Sequence, residues 1–547
     1  MDVVLGIGPS FVIHYFNKMR TGVEIEPEAL ALGERLRGDG ATAPEDLAAL
    51  RGEGEGSGGL GPFIGHLLRV LRRRDPLLDL TEKTRLGSLF TFREVDGGIP
   101  VEVRGAFAPV SRSLARGGLS NVWGAASYPL APEDYRDWPL EESELAPHYR
   151  EVASALRLAE MPDSLPRSYP RYAAQARALP LNPASERLLD HWEGQAEALS
   201  AAGIEAGRAR LAVRAEADEL GVGCQACGRC LSGCPYDAIY SAQWSLRELT
   251  ARPGFRLRDG LLVRRFDESS DGVAVDVVPR APAERSGATP ERRRYRALFL
   301  AAGTVSSLRI AAESLGESGP VRLQDNDLYL LPLWRTAGGP VPSAALRFSL
   351  NELALRLRVD ELPVHLQVYA LSDQVLDRVR PLLSALPAPV VRRIEALQTR
   401  LLLGFVYLPG RASAVIQARV LPATGDEAVG RVVIEQRSEA ATPSRMRGVV
   451  RALWRNRRAL GFAPLLPLLR STPSGNSGGH LSGALGMARE PGKLSTGVDG
   501  RLAGTRRVYV VDGAAIPELP AQNSTFTLMA NARRVATRYA VAAGATS

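Results

Sequence analysis

Cysteine is scarce. Four occur in 547 residues, and all fall between Cys224 and Cys234, so their chemistry is local. Aromatics make up only 6% and the basic residues are scattered; no nucleic-acid-binding module is visible. The formal charge of +8, from 68 Lys and Arg against 60 Asp and Glu, is mild for this length. No apolar run reaches about 18 residues, so no transmembrane segment is expected. The opening MDVVLGIG enters a strand at once, without the basic, apolar and cleavage regions of a signal peptide. A cytoplasmic location is the expectation, with folded export beside a signal-bearing partner left open. No internal repeat is present. What is there is ordinary globular protein, 45% hydrophobic and long enough for two or three domains.

The densest chemistry lies in residues 475–531. His480 follows a Gly/Ser-rich loop. Val508–Val511 reads as a buried strand ending in Asp512-Gly513. Helical spacing runs from Thr525 to Ala540, with Asn523 or Ser524 as its cap. A helix N-terminus aimed at a site favours negative charge there. This block resembles the C-terminal signature of the glucose–methanol–choline (GMC) flavoprotein oxidoreductases. The resemblance implies that His480 and Asn523 face a flavin ring, and that Asp512, Gly513, Ser524 and Thr525 lie against the cofactor.

Three further stretches fit that frame. The strand Asp2–Leu5 leads into Gly6-Ile7-Gly8, two glycines of a dinucleotide fingerprint, and Glu26 stands at the offset of a ribose contact. The third glycine position holds Phe11, and the βαβ unit is short. Ser113–Ala126 contains Gly117, Gly118 and Asn121, followed by Trp123. It resembles the GMC segment along the flavin and pyrophosphate, and the text after it resembles sugar-oxidising relatives. Ala297–Gly303 reads as a buried strand ending in Gly303, followed by a capped helix. Phe255–Val277 alternates like a hairpin or meander.

The cysteines Cys224, Cys227, Cys230 and Cys234 are spaced C-x2-C-x2-C-x3-C-P, the bacterial ferredoxin pattern. With no other cysteine in the chain, either Cys234 joins the same [4Fe-4S] cluster or three thiolates hold a [3Fe-4S] cluster. A structural zinc site is the alternative, and a disulfide or free-thiol loop the next.

Residues 321–475 differ in character. LQDNDLYLLPL resembles the GMC passage into a substrate domain. Val364–Tyr369 and Gly404–Leu408 read as strands. Val375–Leu386 and Val390–Leu403 read as helices, as does the basic stretch Arg445–Leu460, whose expected place is against a sheet. The fold class expected is α/β in the GMC arrangement. A discontinuous Rossmann-like FAD-binding domain (1–320 and 476–547) carries a Cys-rich insertion near 215–245. A substrate domain with antiparallel sheet and helices (321–475) lies over the flavin. The chemistry implied is oxidation of a small-molecule alcohol, a sugar, polyol or other natural product. His480 would be the base, FAD the hydride acceptor, and electrons would leave through the iron–sulfur cluster to an acceptor protein or quinone. A non-redox scaffold of the same fold, or a flavin lyase or oxidase, is the alternative.

Overall fold

The computed structural model describes residues 3–6, 99–105, 113–280, 289–339, 341, 350–370, 399–424, 427–438, 442–465, 470–476 and 479–544, with single positions between 387 and 397. Gly8 and Glu26, with most of the N-terminal fingerprint, lie outside the described residues, as does the helix expected at Val375–Leu386.

A three-stranded parallel sheet joins distant parts of the chain: Val3–Gly6, Ala297–Leu300 and Val508–Val510, with Ala297–Leu300 in the middle. All four residues of the middle strand are buried, as expected for a parallel strand covered on both faces. The chain turns at Gly303 (φ +80°) into the helix Thr304–Leu315, which ends at left-handed Gly316. The alternating stretch forms an antiparallel meander of Leu261–Glu268, Val273–Pro279 and Glu291–Tyr295. A four-stranded sheet orders Val101–Arg104, Arg431–Ser438, Val415–Leu421 and Val321–Leu323.

The largest sheet has seven strands, all antiparallel. Its order is Phe462–Pro464, Asp327–Arg335, Leu401–Tyr407, Leu362–Ala370, Leu353–Val359, Glu205–Arg208, and Arg470–Asn476 also pairs with Asp327–Arg335. One face carries Leu331, Leu355, Leu366, Leu402 and Val406 and belongs to a single apolar core. The helix Thr442–Arg455 buries Met446, Val449, Val450 and Leu453 in that core. Those positions fall at i, i+3, i+4 and i+7, the apolar stripe of an amphipathic helix. The basic helix therefore packs on the sheet, as expected.

The expectation of a helix through Leu403 is corrected at its end, because Leu401–Tyr407 is a strand paired on both sides. An apolar run such as LLL satisfies either period, and lateral pairing decides. At Gly404 an added Cβ would stand 3.0 Å from both Leu331 O and Leu366 Cδ1, so the backbone there is closely enclosed. Among the described residues no helix is long and apolar enough to cross a membrane.

Candidate active site

Side chains alternate along a strand, so the other face of the large sheet is a separate surface. There the register sets Arg356, His365 and Tyr407 in one row. Ala354, Gln367 and Phe405 form the next. His365, Gln367 and Tyr369 occupy every second position of one strand. His480 and Asn523 meet this polar row.

His480 is held by the buried segment Gln324–Asp327. Ser482 and Gln324 exchange backbone hydrogen bonds of 2.9 and 3.0 Å, which fixes the loop. The His480 amide donates to Asp325 Oδ1 (3.1 Å), and its ring Nδ1 lies 2.9 Å from Asn326 Oδ1. Asn326 Nδ2 contacts the carbonyls of Leu408 (2.7 Å) and Pro520 (2.9 Å). Carbonyls only accept, so both Nδ2 protons are committed and Oδ1 must accept from His480. The proton of the neutral ring is therefore on Nδ1, and Nε2 keeps its lone pair. Burial pushes the His480 pKa down to about 4, which keeps the ring neutral near pH 7. Tyr407 stacks beside it, with ring centroids 5.8 Å apart.

Asn523 immediately precedes the helix Thr525–Ala542, and its Nδ2 lies 3.4 Å from His480 Nε2. The neighbouring Gln522 donates to Asp134 Oδ2 (2.7 Å) and to Pro129 O (3.0 Å), and accepts from Arg356 (3.1 Å). Asn523 is thus placed by a rigid, buried neighbour. The helix has Ser524 at its cap position without a side-chain cap bond, and no acidic residue in its first turn. Its N-terminus is suited to an anionic group.

The other expected cofactor residues fall into two groups. Asp512 joins the second parallel strand end to the third. Its carboxylate accepts from Gly303 N (2.8 Å), Ala514 N (2.9 Å) and the Ser307 hydroxyl, and burial pushes its pKa up to about 6. A Cβ at Gly513 would stand 2.8 Å from Thr304 Oγ1, so the two strand ends close tightly on each other. Gly6 ends the first strand of the same sheet.

Gly117 and Gly118 have φ of +82° and +55° and open the short 3-10 turn Gly118–Asn121. Only glycine adopts such angles freely. Asn121 accepts from Ser241 Oγ (2.7 Å) and Gln243 Nε2 (2.8 Å) and donates to Arg116 O (2.9 Å). Its side chain ties this turn to the segment just after the cysteines.

The cysteine loop departs from expectation. The four thiols pack against one core with Trp123, Tyr240 and Trp244. Yet among the described residues no three His, Cys, Asp or Glu side chains gather to hold a metal ion, so the expected ligand set Cys224, Cys227, Cys230 and Cys234 is not assembled. The physical reason is that chain spacing does not specify where sulfurs point, and the thiols pack against the apolar core instead. Burial pushes Cys224 up to about 11 and Cys227 up to about 12, and raises Cys234 as well. Backbone N–H groups nevertheless point at the sulfurs. Ala226 donates to Cys224, Arg229 to Cys227, and Ala238 to Cys234 at 3.3 Å. Left-handed Ala226, Gly228 and Gly233 turn the chain between them.

Comparison with known proteins adds to this geometry. Residues 463–532, which contain both His480 and Asn523, match the GMC oxidoreductase family model for the C-terminal region. A search of curated proteins returned no match. Among solved structures, pyridoxine 4-oxidase from Mesorbium loti superposes with a TM-score of 0.52 and 17% identity, over 85% of this chain and 92% of that one. An FAD-dependent oxidoreductase from Chaetomium thermophilum gives a TM-score of 0.48 and 14% identity, over 82% and 90%. The first likeness shows the mixed α/β fold over most of the chain.

Asn326, Gln367, Arg356 and His365 were not singled out from the sequence. The available signal was LPVHLQVYA, in which polar residues take every second place in an otherwise apolar strand. That pattern marks a strand with one polar face inside the protein.

Proposed function

We propose that the protein is an FAD-dependent oxidoreductase that oxidises a CH–OH group of a small molecule. The observation that carries this reading is the pairing of an unprotonated His480 Nε2 with the Asn523 amide, 3.4 Å apart, inside the segment matched to GMC oxidoreductases. A substrate hydroxyl placed between them would give its proton to His480 Nε2. Asn523 Nδ2 would donate to the same oxygen as negative charge builds on it. FAD, when bound, supplies the hydride acceptor.

The described residues fit such a cofactor. The uncapped N-terminus of Thr525–Ala542, the Asp512–Gly513 strand end and the Gly117–Gly118 turn would hold its flavin side, with Gly6 toward the dinucleotide. The domain reading proposed is 1–320 with 476–547 for the cofactor and 321–475 for the substrate, with Glu205–Arg208 contributing a strand to the second sheet. The organic substrate is an alcohol, and the Mesorbium neighbour, a pyridoxine 4-oxidase, suggests pyridoxine for the first screen, beside sugars and polyols.

Electron exit through an iron–sulfur cluster is the finer part of the proposal. It is supported by the C-x2-C-x2-C-x3-C-P spacing and the N–H groups aimed at three sulfurs, and it requires the loop to draw its thiolates together around the metal. Anaerobically purified protein, assayed for FAD, iron, sulfide and zinc per chain and then mixed with alcohols, tests both parts. Bleaching of a flavin band by an alcohol is expected. A chain that takes up no FAD on reconstitution overturns the function. FAD without iron and sulfide overturns the cluster alone.

A further inference from the structure

We infer that Gln367 is a positioning residue: it orients the Asn523 carboxamide so that Nδ2, and not Oδ1, faces His480 and the substrate oxygen. The inference rests on the proposed alcohol oxidation for its consequence, but not for its geometry.

The argument begins at two carbonyls. Those of Leu408 and Pro520 commit Asn326 Nδ2, which places the His480 proton on Nδ1 and leaves Nε2 an acceptor. The Asn523 atom facing Nε2 must then be the donor Nδ2, and Oδ1 must point away. Oδ1 meets Gln367 at 2.5 Å, so the Gln367 atom there is Nε2, a donor. Gln367 Oε1 accepts from Tyr369 OH at 3.0 Å. The second Gln367 Nε2 proton faces His365 Nε2 at 3.4 Å, which must accept.

His365 is neutral, because burial and the adjacent Arg356 push its pKa down to about 3. Its one proton is then on Nδ1 and is given to Tyr169 O at 3.0 Å. Tyr169 O also accepts from Arg356 at 3.0 Å, and Arg356 can only donate. The far end therefore agrees with the near end. Had Asn523 been turned the other way, two donors or two acceptors would face each other somewhere between Asn326 and Arg356.

Arg356 is itself anchored by Glu133 at 2.8 Å and Asp134 at 3.6 Å, and it also contacts Gln522, the neighbour of Asn523. The row is fixed at its Asn326 end by carbonyls that only accept, and the Tyr169 hydroxyl at the Arg356 end, which both accepts and donates, is compatible with that direction. On the side away from His480, Gln367 is the member that hydrogen-bonds the Asn523 side chain. Without it, the carboxamide can rotate, and an acceptor facing His480 Nε2 would oppose both the base and the developing alkoxide.

The test is a cycle of Gln367→Met, Asn523→Ala and the double variant, measured two ways. In the flavin-loaded protein, Gln367→Met is expected to lower kcat for alcohol oxidation about tenfold with KM within about threefold, the loss of one hydrogen-bonded orientation. In the Asn523→Ala background the same change is expected to have no further effect, because it acts through Asn523. Independently of turnover, the 15N shift of His480 Nε2 reports the hydrogen bond it receives. In Gln367→Met it is expected to move to the value seen in Asn523→Ala. Gln367→Glu keeps the shape and the bond from Tyr369 but presents an acceptor to Asn523, and serves where Gln367→Met does not fold. A wild-type Nε2 shift in Gln367→Met, or losses that simply multiply in the double variant, overturns the inference. Wild-type protein inert toward every alcohol overturns the proposed function instead, while the Nε2 shift still decides the role of Gln367.

Discussion

The two faces of the large antiparallel sheet share the same strands and differ in almost everything else. On one, Leu331, Leu355, Leu366, Leu402 and Val406 interlock with the helix Thr442–Arg455. On the other, Arg356, His365 and Gln367 lie in the interior and take part in directed hydrogen bonds, with the buried Tyr407 ring packed against His365. The first face gains from removal of apolar surface from water, which needs no orientation. The second exposes itself to the large penalty for unpaired buried polar groups, and its members escape that penalty only in one arrangement of donors and acceptors. Burial thus supplies stability on one side and pre-organisation on the other.

The sharpest way to break this comparison is to exchange the expected effects. His480→Gln is expected to lower the rate of flavin reduction by alcohol about a thousandfold, within the range for loss of a general base. Its unfolding free energy should stay within about 1 kcal/mol of wild type at pH 7. Stopped-flow reduction and urea unfolding give both numbers. Leu366→Ala, on the opposite face, is expected to cost about 2–5 kcal/mol of stability while leaving kcat within about twofold wherever the protein is folded. Should Leu366→Ala abolish turnover in folded protein, the two faces are not separable.

Acid sharpens the same division. The folded pKa of His365 is about 3, against an ordinary value near 6.5, because the ring is buried beside Arg356. The unfolded chain binds the extra proton first. The resulting stability is present above about pH 6.5 and is lost as the pH falls toward 3. His365→Gln should therefore flatten the acid side of the stability curve, with wild type losing about 2–3 kcal/mol more than the variant between pH 7 and pH 4.5. Parallel curves would show that the ring titrates normally and that the polar face is wet.

How far all this was visible in the sequence follows from which contacts are local. His480 and Asn523 stand in one continuous block with the strand and helix that position them, and their roles could be proposed from that block. The parallel strands were legible as short apolar runs ending in glycine, and the helix Thr525–Ala542 as helical spacing. Gln367 reaches Asn523 across 156 positions, and Arg356 reaches Glu133 across 223. Such pairings depend on strand register, which no short window contains. The strand Glu205–Arg208 joins the large sheet for the same reason, without a local signal. The start of the strand Leu401–Tyr407 reads as helix in sequence because its leucines satisfy both periods. At the cysteines the spacing was plain, but spacing does not specify where sulfurs point.

Asn326→Asp makes the smallest change and tests the first link of the row. The carboxylate still accepts from His480 Nδ1, so the tautomer is kept. The two bonds to the Leu408 and Pro520 carbonyls are lost, and a negative charge is placed 2.9 Å from the ring. That charge favours the imidazolium and raises the His480 pKa from its depressed value of about 4. A base must be unprotonated to act, so activity should be lost on the acid side and recover as the pH rises. The acid limb of kcat/KM for alcohol oxidation should move upward by about one unit or more; a one-unit move gives about a fivefold deficit near pH 4 that closes by about pH 6. Asn326→Leu, with no charge and no acceptor, should lower kcat/KM at every pH without moving the limb. If both variants keep the wild-type profile, the proton of His480 is not held by Asn326, and the donor assignments that run from it to Arg356 lose their starting point.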